Sequence, residues 1–530
     1  MKRVRHTDVD LQREVTDVGQ THIILAFDIG TQSTRALLIS SEGRIIAKAQ
    51  KGHSPAYISR QSGWAEQDPD FYYNNMCRVS RQLKESFPEQ FRQIEAVTLT
   101  AIRCTSVCLG RDGQPLRPAI LWLDQRRARK SPRLKKWAAA AVKAAGMTRT
   151  LRLQYQKSHC NWIRENEPEI WSNTKKYVLL GTYLNYKLTG NMRDSTASIV
   201  GYVPYDFKNR RWKKSYDLVR PVFDIPNGMM CELVEPGDLI GDLTEKAAED
   251  LGLSADLKLI ATGTDKACEI LGLGCVNKKR AAISFGTTAT ITFTTRDYLE
   301  PESFIPPYDS ILPGHYTPEV EIFRGYWLIS WFKKEFAQKE VTEALELKVS
   351  AEEILNKRLK EVPAGCNGLV LQPYFTPNLT MPEAKGAVIG LSDIHTRIHL
   401  YRAIIEGINF ALMDGMRHME KRGGFQFEEI RVGGGGAQSS EICQITADMF
   451  GIPVVRTQTY EVSGIGSAIP AFVTLGVFKN YKEALRHMVH KKDVFQPDKK
   501  QHAVYRKLYE EIYKHIYPRL SELYGKIGKI

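Results

Sequence analysis

The sequence contains no apolar run near the ~18 residues of a membrane span, no CxxC pair, and no apolar core to residues 1–20, MKRVRHTDVDLQREVTDVGQ. No spanning helix and no secretory leader are therefore expected. Nine cysteines, odd in number and scattered, argue against a disulfide framework and for free thiols in a reducing, cytoplasmic setting. Cys104 and Cys108 stand four apart, but no second ligand pair completes a zinc-type spacing. No low-complexity linker interrupts the chain. The formal charge of +14 comes without a recognisable nucleic-acid motif. The basic clusters at 124–137 and 275–280 read as solvated faces or loops, in a field that also attracts polyanions. No nucleic-acid partner and no membrane partner are expected. What remains is an ordinary globular composition, 43% apolar and 25% charged over 530 residues, too long for one core.

ILAFDIGTQSTRALLIS (23–39) places two strand-like runs around a turn holding Gly30 and the polar side chains Asp28, Thr31, Gln32, Ser33 and Thr34. Taken alone it is as well read as a polar surface hairpin. AAISFGTTATITFTT (281–295) repeats the pattern around Gly286, Thr287 and Thr288 about half the chain later. Two such turns suggest two halves on one plan, each directing N–H groups and hydroxyls outward in a way that suits phosphate oxygens.

EAVTLTAIRCTSVCLG (95–110) alternates like a strand pair, and LKLIATGT (257–264) reads as a buried strand leading to Asp265. Helices are expected around 157–166, 176–188 (ending on a glycine cap), from Lys266 into a glycine-bearing crossing near 271–280, and 399–420. Residues 428–451 read as strand, glycine run and helix. A stripe of Tyr505, Leu508, Tyr509, Ile512, Ile516, Leu520 and Leu523 predicts a docked helical tail, bent or broken at Pro518. Asp265 reads either as the cap of its helix or as a general base for a hydroxyl attacking a phosphoryl group. Lys266 reads either as a partner of Glu269 or as a substrate contact. GGGGAQ lacks the GxGxxG spacing of a dinucleotide site.

Taken together, the first hairpin, TGTDKACEILG, SFGTT and GGGGAQSSEICQITADMFGIPV resemble the FGGY family of carbohydrate kinases in the actin-like superfamily. GWAEQDPDFYY (63–73), AILWLDQRR (119–127), YLNYKLTGNMRDSTAS (183–198) and EVSGIGSAIPA (461–471) extend the likeness from 22 to about 490. GAVIGLSDIHTRIHLYRAIIE (386–406) fits the family's C-terminal signature in spacing. In YQKSHCNWIREN (155–166), Trp162, Ile163, Glu165 and Asn166 fit a second signature, with His159 where lysine is usual.

The resemblance implies an α/β protein of two actin-like (ribonuclease H-like) lobes with a nucleotide cleft between them. The expected divisions are a polar extension (1–20), an N-terminal lobe (21–276) and a C-terminal lobe (277–530) ending in the helical tail. It implies ATP and Mg²⁺, with Asp28 and Asp265 at the metal and Asp265 as catalytic base. Thr31, Gln32, Arg35, Gly286, Thr287, Thr288, Gly434, Gly435, Gly436 and Ala437 would contact the nucleotide. Arg103, Cys104, Trp122, Asp124, Asp265 and Lys266 would line the substrate pocket, with Trp122 open to a packing role as well. Arg103 matches the arginine by which glycerol kinases hold a hydroxyl, but Cys104 replaces their neighbouring glutamate. Losing that acceptor costs on the order of 1–3 kcal/mol of recognition, which makes glycerol a poor substrate. TAIRCTS also differs from the SGQMHG segment of xylulose kinases. The expected activity is phosphorylation of a small sugar or polyol by a cytoplasmic enzyme, with a homodimer possible. An actin- or heat-shock-like ATPase and a silent kinase-like regulator are the alternatives.

Overall fold

The computed structural model describes residues 9–13, 21–218, 220–302, 305–377 and 381–528. The chain forms two compact units. The first comprises residues 1–272, 308–315 and 463–489, and the second residues 273–307, 316–462 and 490–530. Segments 308–315 and 463–489 thus return to the first unit from beyond position 276.

In the first unit, strands β1 (Asp10–Arg13), β2 (Ile23–Ile29), β3 (Ser33–Ser40), β4 (Ile45–Gly52), β5 (Ile94–Ala101), β6 (Leu239–Asp242) and β7 (Lys258–Ile260) form one sheet. Their order is β1-β4-β3-β2-β5-β7-β6. The β2–β3 hairpin is antiparallel, whereas β2–β5 and β5–β7 are parallel. Every residue of β2 is buried, because strands covered on both faces read as continuous apolar runs. The charged extension contributes the edge strand β1, paired to β4. Residues 1–8 and 14–20 lie outside the described set.

Helix α1 (Pro69–Ser86) starts at the EQDP segment because Asp68 accepts the N–H of Asp70 and Pro69 occupies the first turn, where a missing N–H costs nothing. Its Tyr72, Met76, Val79 and Leu83 are fully buried. Helix α2 (Lys136–Ala144) lies on the surface, with Ala138 alone buried. Helix α3 (Leu180–Thr189) ends on Gly190 at φ 73, the glycine cap expected from LTGN. The residues before it, 176–179, read as the start of this helix in the sequence but form a strand at Lys176–Leu179. The 95–110 segment is not a strand pair. Its second half, Ser106–Leu109, belongs to a separate four-stranded sheet beside Lys176–Leu179. Helix α4 (Asp265–Gly272) follows β7.

The second unit repeats the plan. Strands β8 (Arg280–Phe285), β9 (Ala289–Thr292), β10 (Glu319–Ile322), β11 (Glu429–Gly433), β12 (Val454–Thr457) and β13 (Lys491–Phe495) lie in the order β10-β9-β8-β11-β12-β13. The hairpin β8–β9 is antiparallel, β8–β11 and β11–β12 are parallel, and β13 closes the edge antiparallel to β12. This is the pairing sequence of the first sheet, so the repeat inferred from two turns extends to whole sheets. The long helix α5 (Arg397–Gly423) ends on Gly424, and α6 (Ser440–Phe450) follows the glycine run.

The tail runs through α7 (Lys499–Leu508), one π turn (Tyr509–Tyr513) and α8 (Lys514–Ile527). Pro518 does not break it. Pro518 sits inside α8, where its missing N–H forgoes one backbone bond but does not end the helix. The π turn inserts an extra residue per turn, which moves the docked face from the expected Ile512 to Tyr513. Tyr505, Tyr509, Tyr513, Ile516 and Tyr524 are buried, whereas Ile512 and Leu523 are exposed.

Candidate active site

The carboxyl edge of the parallel strands collects chemistry in the first unit, as is usual for α/β sheets. Asp28 on β2 lies opposite Thr100 on β5 and Arg35 on β3. Arg35 Nη1 donates to Asp28 Oδ2 at 2.9 Å, so this arginine is bound to the carboxylate. The Thr100 hydroxyl donates to Gly263 O at 3.0 Å and that of Thr262 to Leu99 O. These bonds tie the loop before α4 to β5.

Asp265 is the first residue of α4 and not its cap. Thr264 Oγ1 accepts the N–H of Ala267 at 3.2 Å, while Asp265 Oδ1 accepts the adjacent Lys266 N–H at 2.9 Å. Ser463 donates to Asp265 O at 3.2 Å. Burial raises the Asp265 pKa, against the opposing charges of Lys266 and Arg103. That net direction suits a carboxylate that must accept a proton. Lys266 Nζ meets Glu269 Oε2 at 2.8 Å. Burial alone would lower the lysine's pKa, but Glu269 and Asp265 outweigh it and raise it. The lysine–glutamate reading is therefore the one the geometry supports.

The first turn is closed by Gly30 N–H donating to Ser33 O at 3.0 Å. The sequence reading missed what braces it. His53 Nδ1 lies 3.1 Å from Thr31 O, and a carbonyl can only accept, so Nδ1 carries the proton. Nε2 then accepts from the Thr34 hydroxyl at 2.8 Å. The His53 N–H donates to Gln32 O at 2.8 Å. Burial lowers this histidine's pKa, which keeps the tautomer neutral.

Two expected substrate contacts are otherwise engaged. Trp122 donates its indole N–H to Thr31 Oγ1 at 2.9 Å, bracing the turn. Asp124 is sealed, its side chain 0% exposed. Oδ1 accepts from Arg126 N and Nε at 2.9 and 2.8 Å, and Oδ2 from Ala65 N and Arg126 Nη2 at 2.6 and 2.8 Å. Four donors fill a carboxylate's lone-pair sites, so Asp124 holds the loop. Arg126 lies over Trp64 and Trp162, 3.9 and 4.5 Å from their ring centres, and pairs with Glu66 at 2.9 Å.

Arg103 and Cys104 follow β5. Cys104 has φ 53, a left-handed conformation costing of order 1–3 kcal/mol outside glycine, and its N–H donates to Val200 O at 3.0 Å. The Arg103 guanidinium lies 5.4 Å from the centre of the Tyr308 ring. Tyr308 arrives on segment 308–315, some 200 residues downstream, and no local signal marks it. Tyr308→Ala is expected to release Arg103 and raise the sugar KM several-fold with the ATP KM unchanged. Paired saturation curves check this.

His159 is buried with Nδ1 3.0 Å from Ser106 Oγ. Burial takes its pKa down to about 4, below the unfolded value near 6.5. As pH falls through this window the unfolded chain binds the proton first, so stability is lost from pH 6.5 down to 4. Urea unfolding should show His159→Gln sparing on the order of 3 kcal/mol of that acid loss. Identical pH profiles for the two proteins would remove the assignment.

In the second unit the expected nucleotide residues come together. Ser284 pairs with Gly433 in parallel register, which sets the 286–288 turn beside Gly434–Ala437. Gly286 O and Thr287 O accept the N–H groups of Tyr326 and Trp327 at 3.1 and 3.3 Å. Gly434 has φ 79, and a β-carbon there would stand 2.9 Å from the Phe285 backbone; at Gly436 it would stand 2.4 Å from the Tyr326 ring. The run is therefore glycine for packing as well as for open backbone. Residues 435–438 form a 3₁₀ turn before α6, whose N-terminus Ser439 caps by accepting from Ile442 N at 3.2 Å.

Both units match models of the FGGY family of carbohydrate kinases, the N-terminal domain over residues 23–272 and the C-terminal domain over 281–475. A xylulose kinase of Lactococcus lactis is 27% identical over 94% of this chain and 97% of its own. An uncharacterized sugar kinase of Escherichia coli is 27% identical over 96% and 97%. The crystal structure of xylulose kinase from Rhodospirillum rubrum shares 25% identity with a TM-score of 0.78, covering 95% of this chain and all of its own. Two sheets on one actin-like plan, with family models covering both, make this chain a member of the FGGY family of carbohydrate kinases.

Proposed function

We propose that the protein transfers the γ-phosphoryl group of ATP to a hydroxyl of a pentulose, with xylulose the first candidate. The observation that carries this reading is that Asp28 on β2, and Arg103 and Asp265 just after β5 and β7, follow three neighbouring parallel strands, with Arg103 close enough to act on the Asp265 carboxyl. Asp265 takes the proton of the attacking hydroxyl. Arg103 holds a second hydroxyl of the sugar. The Thr31 hydroxyl, which accepts from Trp122, keeps its own proton for a phosphate oxygen, and in the second unit the 286–288 turn and Gly434–Ala437 offer backbone N–H groups of a kind that suits phosphate. Asp28 and Asp265 offer carboxylate oxygens of the kind a hard, hydrated Mg²⁺ prefers. When bound, that ion neutralises charge on the phosphates. The names of the relatives support a ketopentose, and Cys104 in place of an acidic acceptor disfavours glycerol.

An ADP-release screen over ketopentoses, hexuloses, polyols and glycerol tests this. Xylulose or another pentulose should give the highest kcat/KM. Release stimulated by peptides and by no sugar overturns the proposal in favour of an actin-like ATPase.

A further inference from the structure

Between Asp124 and Glu165 the chain has no acidic residue and twelve lysines and arginines. These 40 residues carry +12 of the formal +14, leaving the other 490 nearly neutral. Of the twelve, Arg126 is held in its buried cluster, Arg164 against Asp224 at 3.2 Å, and Arg149 and Lys157 also make contacts of their own. Arg127, Arg129, Lys130, Arg133, Lys135 and Lys136 are exposed, and none has a carboxylate partner among the described residues. Glu165, which ends the stretch, accepts the backbone N–H groups of Arg129 and Lys130 at 2.7 and 3.2 Å. Six like charges within ten residues repel one another unless an external anion answers them.

The surface helix α2 follows directly. Its inward positions, Ala138 and Val142, pack on the protein. Its outward face carries a second apolar set at helical spacing, Trp137, Ala140, Ala141 and Ala144, all exposed, with Trp137 58% exposed. Lys136 and Lys143 flank it. An indole beside cationic stems suits the boundary between lipid headgroups and acyl chains. Alanine methyl groups offer nothing to base edges or to a sugar–phosphate chain, which disfavours RNA as the occupant.

We propose that residues 127–144 form a docking surface for an anionic phospholipid membrane, holding the enzyme peripherally through lysine and arginine at the headgroups with Trp137 inserted between them. The proposal is independent of the assigned sugar. It replaces the expectation that these charges only face solvent.

Flotation of the full-length protein with phosphatidylcholine vesicles, with and without about 30 mol% phosphatidylserine, tests it. Binding is expected only to the anionic vesicles in 0.1 M salt, and should be lost at 1 M salt as the screening length falls from about 10 to about 3 Å. The triple variant Arg133→Gln, Lys135→Gln, Lys136→Gln should bind roughly tenfold to a hundredfold more weakly with turnover in solution unchanged. Tryptophan emission should shift to the blue on binding in the wild type and less in Trp137→Ala. Equal binding to neutral vesicles, absence of binding, indifference to the triple substitution, or displacement from vesicles by RNA with no blue shift would each overturn the proposal.

Discussion

Asp265→Asn is expected to reduce phosphoryl transfer by roughly 10²–10⁴-fold while leaving ATP affinity within a few-fold. Asparagine fills the same volume and can still accept the Lys266 N–H that Asp265 Oδ1 accepts at 2.9 Å. The backbone bond from Ser463 is untouched. What disappears is the proton acceptor, whose basicity burial enhances. Single-turnover assays with equilibrium ATP binding separate the two effects. Turnover near wild type would remove Asp265 from the chemistry, and loss of ATP binding would recast it as a nucleotide or metal contact.

The largest expected loss of stability is at Arg126. Its side chain is 1% exposed between Glu66 and Asp124, themselves 5% and 0% exposed. Arg126→Met keeps much of the volume and the packing between Trp64 and Trp162 but strips Asp124 of every donor except the Arg126 and Ala65 N–H groups. Breaking a buried pair from one side costs about 3–5 kcal/mol, which lowers Tm by roughly 6–20 °C in a unit of this size. Calorimetry checks this. Arg126→Lys should recover part of the loss, since charge returns without the guanidinium fork. Because the same loop carries Trp122 to Thr31, the ATP KM of Arg126→Met should rise at temperatures where the protein remains folded. An unchanged Tm would mean that the cluster contributes specificity and not stability.

Much of the architecture was legible because it is written locally. The two hairpins, the glycine cap at 190, and the strand–glycine–helix order at 428–451 each depend on neighbours within a turn or two. The errors fall where distant partners decide. The 95–110 segment alternates like a pair of adjacent strands, yet its halves join different sheets. The tail stripe follows a regular α-helical spacing, which the π turn shifts by one position, and Pro518, expected to bend or break it, does not end the helix. Asp124 and Trp122 were placed by type and spacing, but their partners Ala65 and Thr31, 59 and 91 positions away, appear only in the fold.

By itself the sequence determined the family, the doubled sheet plan and the carboxylates at the strand ends, since each follows from short ordered patterns of apolar, glycine and hydroxyl residues. Only the tertiary structure decided which polar side chains remain available for chemistry. A donor or acceptor that finds a partner inside the protein is no longer open to a substrate, and those partners are set by packing across hundreds of residues. Asp124 was withdrawn that way, and Tyr308 was delivered to Arg103 by the same long-range folding.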